Sequence, residues 1–300
     1  MNNEFKLSII IPTKDRYKFL QNTLLTLSKN SNFFKEVLIV DSSNTKTKLL
    51  NKNLIKNFKY KIKIFNSKPS ISLQRNIGLS KVSKKSNYVM FLDDDVTFYN
   101  HAFSKIVTFI KNNENYSGIG FNLIVDIKTG QAMDRIKKSK IFQKLGLYST
   151  SPGDVTRSGW HTKAINLKKS KEVKWLPTQA VIYKKDHLKK NKFATKFGTY
   201  SYLEDLDFSY TISRMGKLII CHSAKYFSDN NVNRDSLFFG SKEITNRNFF
   251  VTKHNLSKYN FLLGCLLLAI KNFLFSILLL KPRLFLRFVG NIFGIITILF

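Results

Sequence analysis

The sequence has 300 residues, of which 43% are hydrophobic, enough to bury a sizeable core in one α/β domain or two smaller ones. The 50 Lys and Arg against 19 Asp and Glu give a net charge of +31, which favours a phosphate-bearing partner: nucleic acid, nucleotide or anionic membrane. A chain-wide bias in composition would produce the same charge. Cys221 and Cys265 stand far apart in apolar runs, which argues against a disulfide framework or a zinc cage.

The first apolar stretch, residues 5–12, is too short for the hydrophobic region of a secretory signal. It ends in Pro12 rather than at a cleavage site, so it is interpreted as the first strand of a folded domain. Together with the cysteine pattern, this predicts a protein of a reducing compartment.

Short apolar runs alternate with amphipathic segments over the first 92 residues. This alternation is typical of an α/β fold with a mostly parallel sheet covered by helices on both faces. Polar clusters follow three of the runs, so ligand-binding residues should meet at one edge of the sheet, in one cleft. Strands are predicted at 7–11, 36–40, 61–65 and 88–92, helices at 17–27 and 72–82, and polar clusters at 12–16, 41–44 and 93–95.

The middle of the chain is less regular, and the basic stretch at 127–172 has no clear periodicity. An acidic segment at 202–208 precedes a helix that extends to Met215, and Gly216 is expected to end that helix in the left-handed conformation. The other elements predicted here are a helix at 101–111, a strand pair at 118–126 with a turn at 128–130, and a strand at 173–183.

From Tyr259 onward the sequence is strongly apolar, with a first run as long as a membrane-spanning helix. Lys271 and Asn272 interrupt that run near its middle, where a charge is costly in hydrocarbon. We therefore expect helices that lie in a membrane interface or form a shallow hairpin, with Lys281 and Arg283 at anionic head groups. An apolar core helix or an oligomer contact is the alternative.

These patterns divide the chain into three expected segments. Residues 1–235 would form a catalytic domain and residues 236–258 a basic linker. Residues 259–300 would be the hydrophobic helices that associate with a membrane.

Three consecutive aspartates, Asp93, Asp94 and Asp95, follow the predicted strand at 88–92. Adjacent carboxylates repel one another and are costly to desolvate, which a fold tolerates where a cation is bound. Ligand sets made only of oxygen suit Mg²⁺ or Mn²⁺, and these ions keep open positions for substrate phosphates. The alternative is a solvated acidic turn, which the apolar neighbour Val96 argues against.

A second acidic group, Glu204, Asp205 and Asp207, stands at the start of the next predicted helix. A helix N-terminus favours negative charge, so capping explains one of these acids. A carboxylate that faces the cleft could instead remove a proton from an incoming hydroxyl while a metal stabilises the leaving group. The residues alone leave both roles open.

Arg75 and Asn76 lie near the start of the helix predicted at 72–82, where they could offer donors to an anion or to the edge of a base. A surface arginine on an amphipathic helix fits the pattern equally well. His161 and His222 are isolated histidines and are assigned no role.

Six segments then stand in a fixed order: IIIPTKDR, LIVDSS, SLQRNIGLS, FLDDDV, WLPTQAVIYKKD and YLEDLDFSYTISRMGKL. In this order and spacing they resemble the inverting glycosyltransferase family 2, over about residues 5–235. The resemblance implies a nucleotide-sugar-binding GT-A fold, which is a Rossmann-like α/β fold with a mixed, mostly parallel sheet and helices on both faces.

The resemblance also implies roles for individual residues. Asp93 would lie near the ribose of the donor with Asp94 beside it, and Asp95, together with Asp93, would hold Mn²⁺ or Mg²⁺ on the diphosphate. Asp205 would be the catalytic base, with Glu204 orienting it or contacting the acceptor. The remaining nucleotide-binding residues would be Pro12, Thr13, Arg16, Asp41, Arg75 and Asn76.

Two further expectations come from the same resemblance. Trp175 and the turn at 177–180 would face the sugar and the acceptor. Related sequences often carry a histidine ligand for the metal a little after the strand that follows the second acidic group, where this chain has Phe227, Ser228, Asp229 and Asn230. Asp229 could take that place as an oxygen ligand; otherwise the metal would have fewer protein ligands.

The implied reaction is a single displacement with inversion at the anomeric carbon of a nucleotide-diphosphosugar. A lipid-linked saccharide as acceptor would explain the apolar tail, and would place the protein in surface polysaccharide assembly at the cytoplasmic face of the cell membrane. The expected partners are the donor, the saccharide acceptor and an anionic membrane surface, and not nucleic acid.

Three other classes of protein remain open at this point. The charge and the many aromatic residues would suit a nucleic-acid-binding protein, although the acids converge on the predicted ligand edge. Clustered aspartates would also suit a nucleotidyl or phosphoryl transferase, which should carry a glycine-rich phosphate loop that is not evident in the sequence. The altered segment at 227–230 would suit a catalytically silent membrane scaffold.

Overall fold

The computed structural model describes residues 5–125, 139–198, 201–228 and 236–300. The described residues form two compact units. The sheet unit consists of 5–125, 164–198 and 201–228, and the helical unit consists of 139–163 and 236–300.

The sheet unit is built on a mixed sheet in which nine strands are described, in the order β3-β2-β1-β4-β8-β6-β9-β5, with β7 also paired to β9. The strands β1 to β4 are parallel, β8 is antiparallel to both β4 and β6, and β9 is parallel to β6 and antiparallel to β5 and β7. The strands are β1 (Leu7–Thr13), β2 (Glu36–Asp41), β3 (Ile62–Asn66), β4 (Tyr88–Leu92), β5 (Val96–Phe98), β6 (Gly118–Leu123), β7 (Lys171–Val173), β8 (Ala180–Lys184) and β9 (Leu218–Ser228).

The described helices are α1 (Tyr17–Ser28), α2 (Thr45–Leu54), α3 (Ile71–Lys81), α4 (Ala102–Asn112), α5 (Lys140–Lys144), α6 (Glu204–Ser213), α7 (Ser236–Lys253), α8 (Lys258–Leu278) and α9 (Pro282–Leu299). Helices α1 and α4 pack into the core on one face of the sheet, and α6 packs into the core on the other. The predicted α/β fold with helices on both faces is confirmed.

Strand β1 is buried on both faces of the sheet along its full length. Leu7, Ile9 and Ile11 belong to the core that contains α1 and α4, whereas Ile10 belongs to the core that contains Phe208 of α6. Side chains of a strand alternate between faces, so a central strand needs apolar residues at both alternating sets. This explains why the first strand was visible as a continuous apolar run.

The first four strands were predicted to within two residues, but the second half of the sheet differs from expectation. The strand expected at 173–183 is two strands, β7 and β8, because residues 174–179 leave the sheet between them. The strand pair expected at 118–126 is one described strand, β6, which pairs with β8 and β9. The expected turn at 128–130 lies outside the described residues.

Gly216 does not end α6 in the left-handed conformation that the sequence suggested; the helix ends at Ser213. A Cβ atom at Gly216 would lie 2.0 Å from the Oγ of Ser117. The glycine is therefore needed for close packing beside β6 rather than for a positive φ.

In the helical unit, α7 and α9 approach each other closely at glycines. A Cβ on Gly290 would lie 2.1 Å from the carbonyl oxygen of Leu237, and a Cβ on Gly240 would lie 2.4 Å from that of Arg287. Buried polar groups link α9 to both neighbouring helices: Asn272 Nδ2 of α8 donates to Asn291 Oδ1 at 2.7 Å, and Asn291 Nδ2 donates to the carbonyl of Gly240 of α7 at 2.9 Å.

The segment expected to be a basic linker, 236–258, is mostly helix α7. Its buried positions recur with helical spacing, but they include Glu243 and Arg247 between the apolar Phe239 and Phe250. Charged residues at buried positions hide the apolar stripe, so the sequence did not reveal this helix. Glu243 forms an ion pair with Arg287 of α9, which supplies the partner that a buried carboxylate requires.

Helices α8 and α9 are 21 and 18 residues long and apolar enough to cross a membrane by length and composition, among the residues that the structure describes. Asn272, which seemed to interrupt the first apolar run, is buried against Asn291. The polar atom is therefore satisfied inside the unit, and Asn272 is not an obstacle to an apolar environment outside it.

Candidate active site

A cleft of about 470 Å³ lies at the carboxyl ends of β1, β2 and β4 and beside the start of α3. This is the edge of a parallel sheet where ligands commonly bind, and it is the edge at which the sequence predicted one cleft. The cleft is lined by Pro12, Thr13, Lys14, Arg16, Ser42, Pro69, Ser70, Ile71, Gln74, Asp93, Asp94 and Asp95.

The three aspartates are held by partners from the end of β1, from the residue that precedes α1 and from the residue that precedes β8. Thr13 Oγ1 donates to Asp94 Oδ2 at 2.6 Å. The guanidinium of Arg16 lies 3.0 Å from Asp94 Oδ1 and 2.9 Å from Asp95 Oδ2. The backbone N–H of Asp93 donates to the carbonyl of Gln179 at 3.0 Å. The acidic corner is thus a built feature of the sheet edge and not a solvated turn.

Arg75 joins the first acidic group to the second. Its Nη2 donates to Asp93 Oδ1 at 2.9 Å, and its Nη1 donates to Glu204 Oε1 at 2.9 Å. The arginine is buried, with 1% of its surface exposed. One guanidinium therefore brings the acids that follow β4 and the acids that begin α6 to the same place, although they are more than a hundred residues apart in the sequence.

Glu204 and Asp205, at the start of α6, differ in burial and in their hydrogen-bond partners. Leu203, directly before the helix, has a φ of 76°, a left-handed backbone that is uncommon for a leucine. Glu204 is buried and paired with Arg75, whereas Asp205 is half-buried and its Oδ1 accepts a hydrogen bond from the N–H of Leu206 at 2.8 Å. Strain in the backbone is often found where side chains must be held for function.

Burial dominates the electrostatics of this cleft edge. It raises the pKa of Asp93 to about 6 and the pKa of Asp94 to about 7, against the opposite effect of Arg75 and Arg16. Burial and the neighbouring Asp205 also raise the pKa of Glu204. Two arginines thus leave the site short of positive charge, so an additional cation would be favourable there.

The oxygen ligands at the acidic corner suit a divalent metal only as an open site. In the described ranges, no three His, Cys, Asp or Glu side chains are grouped so that they could hold a metal ion. Magnesium-like sites on phosphate substrates, however, use only one or two protein carboxylates, and phosphate and water supply the other oxygens. Asp93 and Asp95, with Ser228 Oγ 3.2 Å from Asp95 Oδ1, fit an open site of that kind. Asp229 lies outside the described residues.

Three predicted residues are placed away from the cleft wall. The carboxylate of Asp41 is buried and accepts from the N–H of Ser43 at 2.7 Å and from Asn51 Nδ2 at 2.8 Å. The side chain of Asn76 exchanges hydrogen bonds with the backbone of Phe193. Trp175 is 3% exposed. The structure thus gives Asp41 and Asn76 internal partners and does not bring these three side chains to the cleft.

Gln74 is a cleft residue to which the sequence assigned no separate role. Its Nε2 donates to the carbonyl of Thr13 at 2.9 Å and to the carbonyl of Val40 at 2.8 Å, so it ties the ends of β1 and β2 together. Ser42, which lines the cleft, directly follows Asp41. The available signal was position: Ser42 belongs to the polar cluster at 41–44, and Gln74 lies near the start of the helix predicted at 72–82.

A model of the family described as "Glycosyl transferase family 2" matches residues 8–170, more than half of the chain. The protein belongs to glycosyl transferase family 2. This match confirms the resemblance seen in the sequence motifs, and the family assigns the protein to the glycosyltransferases.

One curated relative is the minor teichoic acid biosynthesis protein GgaA of Bacillus subtilis (strain 168). It is 35% identical over 115 residues, which make up 36% of this chain and 25% of GgaA. The match therefore spans about a quarter of the length of that relative.

Two solved structures have the same fold. TarS 1-349 of S. aureus in complex with UDP-GlcNAc aligns with a TM-score of 0.55 and 16% identity, over 91% of this chain and 73% of that chain. The mannosyltransferase PcManGT of Pyrobaculum calidifontis, in complex with GDP-Man and Mn²⁺, aligns with a TM-score of 0.58 and 12% identity, over 98% and 87%. At these identities the likeness shows the GT-A fold alone.

Proposed function

We propose that this protein transfers a sugar from a nucleotide-diphosphosugar to a hydroxyl group of a saccharide acceptor, with inversion at the anomeric carbon. The observation that carries the proposal is the pair of hydrogen bonds from Arg75 to Asp93 and Glu204. Because of it, the acids suited to a donor diphosphate, which line the cleft of about 470 Å³, lie next to the acids suited to proton removal at the start of α6. Neither group of acids alone would provide for both donor binding and proton removal.

The donor nucleotide would lie against the cleft wall formed after β1 and at the start of α3. Pro12 and Thr13 would contact the nucleoside, and Asp93 and Asp94 would lie at the ribose and the diphosphate. Arg16 is half-exposed at the cleft, so its guanidinium can donate to phosphate oxygens as well as to its aspartate partners. The relatives crystallised with UDP-GlcNAc and with GDP-Man make these two donors the first to test.

Asp95 and Asp93 would hold a divalent cation, Mn²⁺ or Mg²⁺. When bound, such a cation stabilises the negative charge that develops on the departing nucleoside diphosphate. The all-oxygen donor set and the raised pKa values of Asp93 and Asp94 support this assignment. The complex of PcManGT with Mn²⁺ is a precedent on the same fold.

Asp205 would act as the general base. Its carboxylate would take the proton of the acceptor hydroxyl as that oxygen forms a bond to the anomeric carbon. The bond from that carbon to the diphosphate oxygen would break on the opposite face, so the configuration would be inverted. Glu204 would not compete for the proton transfer, because its carboxylate is paired with the buried Arg75.

The helical unit would hold the protein at the cytoplasmic face of the cell membrane, where a lipid-linked saccharide could serve as acceptor. So many exposed apolar residues on and between α8 and α9 would be unusual for a soluble monomer and suit contact with lipid. Lys281 and Arg283, between and at the start of the helices, could reach anionic head groups. The exposed apolar residues include Leu266, Ile270, Leu274, Ile277, Leu278, Leu279, Leu280, Phe285, Leu286, Phe293, Ile296 and Leu299.

The proposal is tested by incubating the purified full chain with UDP-, GDP- and dTDP-sugars, Mn²⁺ or Mg²⁺, and membrane lipid extracts or saccharides as acceptors. The expected result is release of nucleoside diphosphate from one donor class, with an anomeric configuration in the product, read by NMR, that is opposite to that of the donor. Transfer with retention, or binding of RNA or DNA without turnover of any nucleotide sugar, would contradict it.

A further inference from the structure

The depth at which Arg75 sits is set by the packing of α3 on the sheet. Gly78, one helical turn after Arg75, lies so close to β1 that a Cβ there would be 2.4 Å from Cγ2 of Ile10. The absence of a side chain at Gly78 lets the helix approach the strand, which brings Arg75 into the interior. The arginine is therefore placed by the backbone and not by chance contacts of a flexible side chain.

Both ends of the guanidinium are committed to carboxylates from different parts of the fold. Asp93 follows β4, and Glu204 begins α6. A guanidinium is a rigid fork with donors in fixed directions, whereas a lysine ammonium is a single charge on a flexible stem. An arginine can thus hold two carboxylates at a fixed separation, which a lysine of the same charge does less well.

Asn76, adjacent to Arg75, also helps to connect α3 to α6. Asn76 Nδ2 donates to the carbonyl of Phe193 at 2.9 Å, and the N–H of Phe193 donates to Asn76 Oδ1 at 2.9 Å. The ring of Phe193 stacks on that of Phe208 of α6 with centroids 3.9 Å apart, and the guanidinium of Arg75 lies 5.3 Å from the centroid of Phe193. Helix α3 is therefore connected to α6 through an ion pair and through an aromatic stack.

We propose that Arg75 is a positioning residue: it fixes α6, and with it Asp205, relative to the donor aspartate Asp93. This inference rests on the proposed function and replaces the expectation that Arg75 and Asn76 bind the nucleotide base. Arg75 acts through Asp93 and Glu204 and does not itself contact the reacting atoms. Its loss would misplace the base with respect to the anomeric carbon while the walls that bind the nucleotide stay in place.

The test compares steady-state kinetics of wild type with those of Arg75→Lys, which keeps the charge and loses the fork. A displacement of about 1 Å between reacting groups costs on the order of 100-fold in rate, so kcat should fall by about that factor while KM for the donor changes by less than about threefold. Arg214→Lys is the matched control, because Arg214 is exposed at the end of α6, and it should turn over like wild type.

Two further variants separate positioning from general destabilisation. In Arg75→Ala, added guanidinium ion at millimolar concentration should restore part of kcat, which a misfolded protein would not allow. The double variant Arg75→Lys with Glu204→Gln should be no less active than the less active of the two single variants, since both changes break the same ion pair.

Wild-type turnover by Arg75→Lys, a fully additive loss in the double variant, or a rise in donor KM that matches the whole loss of kcat/KM would overturn the positioning role and leave the proposed function standing. If wild type itself turned over no nucleotide sugar, the proposed function would fail and this inference with it.

Discussion

Both units of the protein bury a charged cluster, and the two clusters differ in what surrounds them. In the sheet unit, Arg75 holds Asp93 and Glu204 at the edge of an open cleft, and burial raises the pKa of both carboxyls. In the helical unit, Glu243 is paired with Arg287 and also accepts a hydrogen bond from Asn291 Nδ2 at 3.1 Å, beside glycines packed against backbone.

A buried ion pair therefore does not by itself mark an active site. Buried charges must be paired wherever they occur, and a paired cluster often serves only to fix the packing of helices. What distinguishes the cleft is its opening to a volume of about 470 Å³ and its remaining deficit of positive charge. We therefore assign ligand binding to the sheet unit and packing to the cluster around Glu243.

The largest effect on turnover is expected from replacing the proposed general base, Asp205. Asp205→Asn removes the proton acceptor while preserving shape, and general bases contribute on the order of 100- to 10,000-fold, so kcat should fall by about 1,000-fold. The affinity for donor, measured by calorimetry, should stay within about threefold, because Asp205 does not line the nucleotide cleft. Asp186→Asn, at an exposed aspartate, is the control and should be silent. Normal turnover by Asp205→Asn would refute the assignment.

The next effect concerns the outer surface of the helical unit. Leu278 and Leu280 are 72% and 87% exposed, and burying a leucine in an apolar phase contributes about 1.5–3 kcal/mol. Replacing both by serine should lower the affinity for anionic vesicles, measured by co-sedimentation, by about 100-fold or more, without a change in donor affinity. Leu25→Ser, at an exposed leucine of α1, should not alter vesicle binding. Equal binding of the double variant and wild type would remove the support for a membrane contact at this end of the helices.

Asn291→Ala tests the contrast between the clusters directly. The buried amide of Asn291 bonds to Asn272, Gly240 and Glu243, and leaving such partners unsatisfied costs about 1–3 kcal/mol each. The midpoint of unfolding should therefore drop in denaturant titrations, whereas kcat/KM of the folded enzyme should not change. Thr297→Ala, at an exposed position on the same helix, serves as the control. A loss of turnover at full stability would show that this cluster has a catalytic role after all.

The smallest effect is a dependence on pH at the cleft. The carboxyls of Asp93 and Asp94 have pKa values raised to about 6 and about 7, so they become protonated as the pH falls through this range, and a protonated carboxyl is a poor ligand for a cation. The affinity for Mn²⁺ with donor should fall by about tenfold per pH unit below the pKa of a required carboxylate. Calorimetry in buffers of different ionisation enthalpy should show protons released on binding, and an affinity that is flat across this range would contradict the prediction.

Without metal, the stability of the folded protein should change with pH in the direction opposite to that of the affinity for Mn²⁺. The same carboxyls bind protons more readily in the folded chain than in the unfolded chain, because their folded pKa values are raised. The folded state should therefore gain stability as the pH falls from about 7 toward about 4, and lose that contribution as the pH rises again. Thermal unfolding at several pH values, with and without Mn²⁺ and nucleoside diphosphate, measures this difference.

Much of the fold and of the cleft could be predicted because local pattern decides them. The runs that became β1 and β4 are buried on both faces, so they are continuous in sequence, and the parallel arrangement places Thr13 and Asp94 at one edge. The six ordered motifs then indicated the family. These features depend on periodicity and order along the chain, which a single sequence displays.

What could not be predicted depends on partners that are distant in the sequence. Nothing near Arg75 indicates that its two carboxylates come from positions 93 and 204. Asn76 was assigned to the nucleotide, but its amide holds the backbone of Phe193, and Asp41 is likewise occupied by Asn51. Helix α7 was missed because Glu243 occupies a buried position that only an arginine on α9 makes tolerable.

The central claim is that the acidic corner after β4 holds the donor through a divalent cation, beside the acids of α6. It is tested most directly by titrating a nucleotide-diphosphosugar into wild type and into Asp95→Asn by calorimetry, with Mn²⁺ and with a chelator. The account predicts that at least one of UDP-GlcNAc and GDP-Man binds wild type more tightly with Mn²⁺, and that Asp95→Asn loses this gain while its metal-independent binding persists. Donor binding that is the same for both proteins and indifferent to Mn²⁺ would contradict it.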